Sequence, residues 1–263
     1  MKHLLFVAVI ILAFSSCKKD KTNDYNDSVK GDLSIEFDNI VGNQNLALNT
    51  GSYSNGSSET YNITTLKYFI SNISLTNVNG TVYTVPQNDS YFLIEEGNED
   101  KDHASLQIPE GEYKSVTFMV GVDSLRNTKD ISERTGALDP AGEANGMYWG
   151  WNSGYIFFKI EGTSSASTMD GNAFMYHIGG FGGYSSATIN NIKTVTLDLT
   201  PGGTPKVHSG KETNIHLMVD IAKMFDGVNH ISIAANPAVM FDAYSTNISA
   251  NYATMFRHDH TEN

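Results

Sequence analysis

"HASLQIPEGEYKSVTFMVGVD", residues 103–123, carries the clearest period in the chain. Val116, Phe118, Val120 and Val122 recur at every second position, so an extended backbone puts all four on one face. Upstream of them, Pro109-Glu110-Gly111 reads as a turn, since proline presets φ and glycine tolerates a tight reversal. The same alternation extends in both directions. "DLSIEFDNI" alternates Leu33, Ile35 and Phe37, and "TLKYFI" alternates Leu66, Tyr68 and Ile70. "NGTVYTV" opens on Asn79-Gly80, a hairpin turn pair between apolar runs. In "GYIFFKIEG", Ile156, Phe158 and Ile160 fall on one side, and Tyr155, Phe157, Lys159 and Glu161 on the other. "YFLIEE", "NAFMYHIGG", "KTVTLDLTP", "ETNIHLMVDI" and "NHISIAA" are further strand segments. Short strands separated by turn residues predict an all-β fold, an antiparallel sandwich or barrel.

Helical periodicity is confined to the end of the chain. In "ISANYATMF", Ile248, Tyr252, Met255 and Phe256 fall at i, i+4, i+7 and i+8, which predicts a short C-terminal helix capped by Asn247 or Ser249. Two long irregular segments interrupt the strands. One runs from Ser124 to Gly154 and the other, "GGFGGYSSATINN", starts at Gly179. Long loops in a compact domain are usually functional or disordered, and the aromatic content of "GMYWGWNSGY" (146–155) speaks against disorder there.

The N-terminus reads as an export signal. Lys2 precedes an apolar run from Leu4 to Phe14, then Ser15, Ser16 and Cys17. The run is too short to span a bilayer, which takes roughly 20 residues. Cys17 stands at the cleavage point, the arrangement of a bacterial lipoprotein whose cysteine is lipidated. The expected division is a signal peptide over 1–16, a polar tether over 17–30 and one domain over 31–263. The location expected is the bacterial cell envelope, lipid-anchored on the periplasmic or the surface side of the outer membrane. No cysteine follows Cys17, which excludes intramolecular disulfides and thiolate metal ligands. The net charge of −12 argues against nucleic acid as a partner, because both polyanions would repel. It is compatible with a cation ligand, and also simply with solubility.

Catalytic motifs are missing. The chain has no G-x-S-x-G elbow, no H-E-x-x-H and no phosphate-binding glycine loop, so no enzyme activity is expected. Histidines are the remaining chemical resource. His258 and His260 flank Asp259; in an extended segment they project to the same side and form a two-imidazole chelate, or else they belong to a solvated tail. His177 lies on the less bulky face of its strand, as a ligand or as a satisfied structural residue. His103 and His208 sit in polar surroundings and read as solvated, whereas His216 and His230 read as structural. Glu95, Glu96, Glu161 and Asp123 end strands, where they can reach a rim or cap a turn. Both tryptophans, Trp149 and Trp151, would share a face with Met147 if the segment is extended. They serve either as a plug closing one end of the sandwich or as an exposed stacking platform.

The runs "GVDSLRN" (121–127), "TGALDPAGEANGMYWGWNSGYIFFKIEG" (135–162), "YHIGGFGG" (176–183) and "NYATMFRHDH" (251–260) resemble, in this order, the MbnP-like copper-binding proteins. This is the family of the partner protein in methanobactin-associated copper operons. The resemblance implies a β-sandwich in the cell envelope, a role in copper homeostasis and copper as the cofactor. It implies His177, His258 and His260 as metal ligands. It also implies a di-haem peroxidase partner of the MauG type, which would oxidise Trp149 or Trp151 to kynurenine. The alternative is a metal-free adhesion or carbohydrate-binding module that uses the aromatic residues as a platform.

Overall fold

A computed structural model describes residues 25–151 and 154–263. The expected signal peptide, Cys17 and the tether up to residue 24 lie outside the described residues. The main strands are β1 (Lys30–Val41), β2 (Thr60–Asn77), β3 (Tyr91–Glu95), β4 (His103–Pro109), β5 (Gly111–Val120), β6 (Tyr148–Trp149), β7 (Gly154–Ser164), β8 (Ala173–Gly179), β9 (Lys193–Asp198), β10 (Glu212–Asp220), β11 (Ala238–Val239) and β12 (Phe256–Glu262). Three short helices accompany them: α1 (Ser124–Asn127), α2 (Ala222–Phe225) and α3 (Ser245–Tyr252).

Two sheets face each other. The first runs β12-β10-β1-β4, and the second β9-β5-β2-β7-β8-β11 with β3 also paired to β2. Most pairings are antiparallel; β1 with β10 and β8 with β11 are parallel. The Pro109-Glu110-Gly111 turn does not close a hairpin within one sheet. It passes the chain from β4, paired with β1, to β5, paired with β2 and β9, so the two strands around the turn belong to opposite layers. Asn79-Gly80 does close a hairpin, with Gly80 at φ 94° and Thr76 facing Val82.

Alternation decides what lies between the layers. Leu33, Ile35 and Phe37 from the first sheet meet Phe118, Val120, Phe158 and Ile160 from the second, all fully or almost fully buried. Phe37, Phe118 and Phe256 form a triangle of edge-to-face rings with centroids 5.2–6.3 Å apart. A smaller apolar cluster lies on the opposite side of the second sheet. There the outward residues Phe69, Tyr155 and Phe157 are covered by Leu138, Ala144, Met147 and Trp149 from the long segment after β5. That segment is thus a cover, which accounts for its aromatic content.

Ile248, Tyr252, Met255 and Phe256 are all buried, as their spacing predicts. The helix itself is shorter than that spacing, since α3 stops at Tyr252 and Phe256 opens β12. Asn247 and Ser249 sit inside the helix and do not cap it; the Asp242 carboxylate accepts from the N–H groups of Tyr244 and Ser245 at 2.8 and 3.3 Å. Ordered contact with the domain also begins before Gly31. Tyr25 stacks on His208 at 4.7 Å, and the Asn26 N–H donates to Glu110 at 3.0 Å.

Candidate functional site

The outer face of the first sheet collects the titratable groups. On β10, Ile215, Leu217 and Val219 point into the core, which leaves Asn214, His216 and Met218 outside. On β1 the outward positions are Glu36 and Asp38, with Glu36 directly opposite His216. From the other side β12 places His260 opposite His216 and His258 opposite Leu217. One residue of β12, Asp259, therefore has no partner: the ladder contains a bulge.

That bulge overturns the expectation that His258 and His260 share a side. His258 follows Leu217 to the inner side, where its Nε2 lies 3.0 Å from the Thr261 hydroxyl. Residue 202 must be glycine there, because a Cβ would stand 2.7 Å from the His258 ring. Burial holds the His258 imidazole below its usual pKa. Asp259 instead joins His260 and His216 outside.

Ligating atoms of His216, Asp259 and His260 all lie within 4.8 Å of one another. Asp259 Oδ2 is 2.9 Å from His260 Nδ1 and 3.6 Å from His216 Nδ1. The two imidazole rings are 4.8 Å apart. Behind them, His216 Nε2 has Asp38 and Glu36 oxygens at 3.7 and 3.8 Å, and His260 Nε2 has Glu262 at 3.5 Å. His216 Nδ1 is buried and makes no hydrogen bond, so a donor atom aimed at Asp259 is left unsatisfied. The hydrogen bond between Asp259 and His260 raises the imidazole and lowers the carboxyl.

His177 stands elsewhere. It projects from β8 onto the outer face of the second sheet, opposite Lys159, with Nε2 2.7 Å from Glu161 Oε1. Glu161 also pairs with Lys159 at 3.3 Å. Burial pushes the Glu161 carboxyl upward, but the bonds from His177 and Lys159 outweigh it and leave the group lowered. Burial depresses His177. The three sequence-predicted ligands thus occupy three places, and only His260 belongs to a ligand cluster among the described residues. The missed partner is His216, read from sequence as structural. Its outward position in "NIHLMVD" was readable, but the strand opposite it was not.

The tryptophans divide. Trp149 on β6 is buried, its ring 5.2 Å from that of Trp151 and 6.2 Å from that of Phe241. Trp151 is 66% exposed, because the chain leaves the strand after Trp149 and the shared face with Met147 ends there. Trp149 is thus buried in the cover over the outer face of the second sheet and does not close an end of the sandwich, and Trp151 is its exposed partner. Beside Trp149 is a cavity of about 400 Å³ between the two long loops.

Other candidates are satisfied locally. Asp123 caps α1 through the Arg126 N–H at 3.0 Å, as its position suggested. Glu95 pairs with Lys67 at 2.6 Å, and Glu96 accepts from Asn39 at 2.9 Å. His103 contacts Asp102 at 2.6 Å, and the exposed His230 contacts Asp226 at 3.1 Å.

A search of curated proteins finds no match. Among solved structures, MbnP from Methylosinus trichosporium superposes with a TM-score of 0.57 at 15% identity, over 81% of this chain and 82% of that one. At that identity the likeness speaks for the fold, and it agrees with the two-layer β architecture. The MbnP family model matches residues 30–241, which takes in both sheets except β12 and leaves His258 and His260 outside the matched span. With most of its length matched in this way, the chain belongs to the MbnP family.

Proposed function

We propose that this chain is a non-catalytic, copper-binding protein of the cell envelope, with the ion held by His216, Asp259 and His260. The observation that carries the reading is the convergence of two imidazoles and a carboxylate on one outer face, with His216 Nδ1 buried and unbonded. Membership of the MbnP family supports a copper-related role. Nitrogen and oxygen donors suit Cu(II), and the sequence offers no thiolate beyond Cys17. The carboxylates behind the rings, Glu36, Asp38 and Glu262, orient the imidazoles. They also concentrate cations at the face. Bound copper supplies a redox-active centre.

In this reading Cys17 carries the lipid anchor that holds the chain at the membrane. The tryptophan pair is the target of a di-haem peroxidase partner, and the exposed Trp151 is the indole such a partner reaches. Intact mass of the protein from its native host tests the modification, and an unmodified mass removes it.

Copper titration against a competing chelator tests the ion site. His216→Ala and His260→Ala are expected to weaken copper by more than the roughly 10- to 100-fold that loss of a supporting partner costs. His177→Ala and His258→Ala should leave it unchanged. Equal affinity in the wild type and the His216→Ala/His260→Ala double variant would overturn the assignment.

A further inference from the structure

The cavity beside Trp149 shares no residue with the histidine cluster and points to different chemistry. We propose that it is a binding site for a small aromatic carboxylate. Its volume, about 400 Å³, is within the range of small-molecule sites and accommodates one or two rings. It lies between the two long loops. Trp149 comes from the first, Phe181 and Tyr184 from the glycine-rich second, and Phe241 from the segment after β11. Such walls favour a flat, apolar ligand body, because aromatic faces and edges pack on rings with little loss of side-chain entropy.

Arg134 selects the charge. It borders the cavity and is only 9% exposed. Its Nε donates to the Lys129 carbonyl at 3.2 Å, and Nη2 donates to the Asn127 and Lys129 carbonyls at 3.1 and 2.9 Å. The guanidinium lies 4.9 Å from the Tyr148 ring centre and 5.6 Å from that of Tyr155. Its Nη1 is buried without a hydrogen-bond partner. No Asp or Glu among the described residues lies within ion-pair distance of it, although its charge reaches the exposed Asp130 carboxyl and helps hold that group below its usual pKa. A guanidinium stays protonated wherever it is placed, so withdrawing it from water without a counter-anion is costly. Carbonyl dipoles and ring faces offset part of that cost, and a carboxylate seated in the cavity supplies the missing negative charge. That charge is not missing for want of acidic residues, since the net charge of the chain is −12. Asn127 and Thr128, on the same rim, add polar atoms beside Arg134.

Calorimetry and tryptophan emission of the full-length protein with three probes test the proposal: benzoate, benzamide and cyclohexanecarboxylate. Benzoate is expected to bind and change the emission, with benzamide and cyclohexanecarboxylate each about ten-fold weaker or more. In Arg134→Gln the preference for benzoate over benzamide should vanish, and in Arg134→Lys it should persist in part. Benzamide binding as tightly as benzoate, or no binding of benzoate, overturns the proposal. Cyclohexanecarboxylate matching benzoate overturns the aromatic class. Retention of the preference in Arg134→Gln overturns the role of Arg134. If Arg134→Gln does not fold, the three-probe comparison on the wild type decides alone.

Discussion

Gly179, at the end of β8, has no room for a side chain. A Cβ there would stand 2.4 Å from the Tyr155 carbonyl oxygen and 2.7 Å from the Trp149 ring. The backbone can shift little, because Gly179 is paired with Ile156 across the sheet. Gly179→Ala is therefore expected to push Trp149 outward, at a cost of about 1–3 kcal/mol for overpacking. Emission should shift to the red and quenching by iodide should rise, since Trp151 is already exposed and only Trp149 can change. An unchanged spectrum would show that Trp149 does not rest on Gly179. The same residue-level view separates the histidines. His177 Nε2 and His258 Nε2 have local partners, Glu161 and Thr261; the Nδ1 atoms of His216 and His258 are both buried without a hydrogen bond, and of these two only that of His216 has a carboxylate oxygen beside it, Asp259 at 3.6 Å.

At the scale of elements, the decisive feature is the bulge in β12. A regular ladder would carry His258 opposite Leu217 and the next residue opposite His216. The inserted Asp259 leaves that second place to His260 and adds a carboxylate beside the two rings. Deletion of Asp259 is expected to leave an unbroken ladder, with His260 still facing His216 and His258 still turned inward. The fold should survive, with an unchanged circular dichroism spectrum, and copper affinity should fall. Copper binding as tight as in the wild type would mean that the carboxylate does not contribute. The segment after β5 teaches a related lesson. It forms little regular structure, yet it covers Phe69, Tyr155 and Phe157 on a sheet face that would otherwise expose them. Its irregularity reflects the shape of a cover, and the same segment provides Arg134 and Trp149 to the cavity.

Across the whole molecule, stability rests on rings that join the two sheets. Phe37 belongs to β1, Phe118 to β5 and Phe256 to the start of β12, and Phe118 is fully buried between the other two. Phe118→Ala removes the ring common to both contacts and is expected to cost about 3–5 kcal/mol, measured by denaturant unfolding. A loss well under 1 kcal/mol would show that the sandwich collapses around the gap. The molecule also keeps its chemistry apart. The acidic histidine face belongs to the first sheet, while His177 and the tryptophan cavity belong to the outer side and end of the second.

The fold class was legible because burial of alternate residues on two facing sheets needs a period of two, and that period is local. Val116, Phe118 and Val120, or Leu33, Ile35 and Phe37, announce their strands without reference to the rest of the chain. The helical face of Ile248 and Tyr252 was legible for the same reason. Family membership was legible in the runs around 121–183. Strand order was not. Nothing near Pro109 shows that β4 and β5 part into different layers, and nothing near His216 shows that β1 and β12 are its neighbours. The bulge at Asp259 is a mismatch between two strands, a property of the pair, so it has no signature in either. The sequence alone thus determined which faces are apolar and which residue types are available. The tertiary structure alone decided which histidines meet, because a metal cluster needs side chains from strands far apart in the chain.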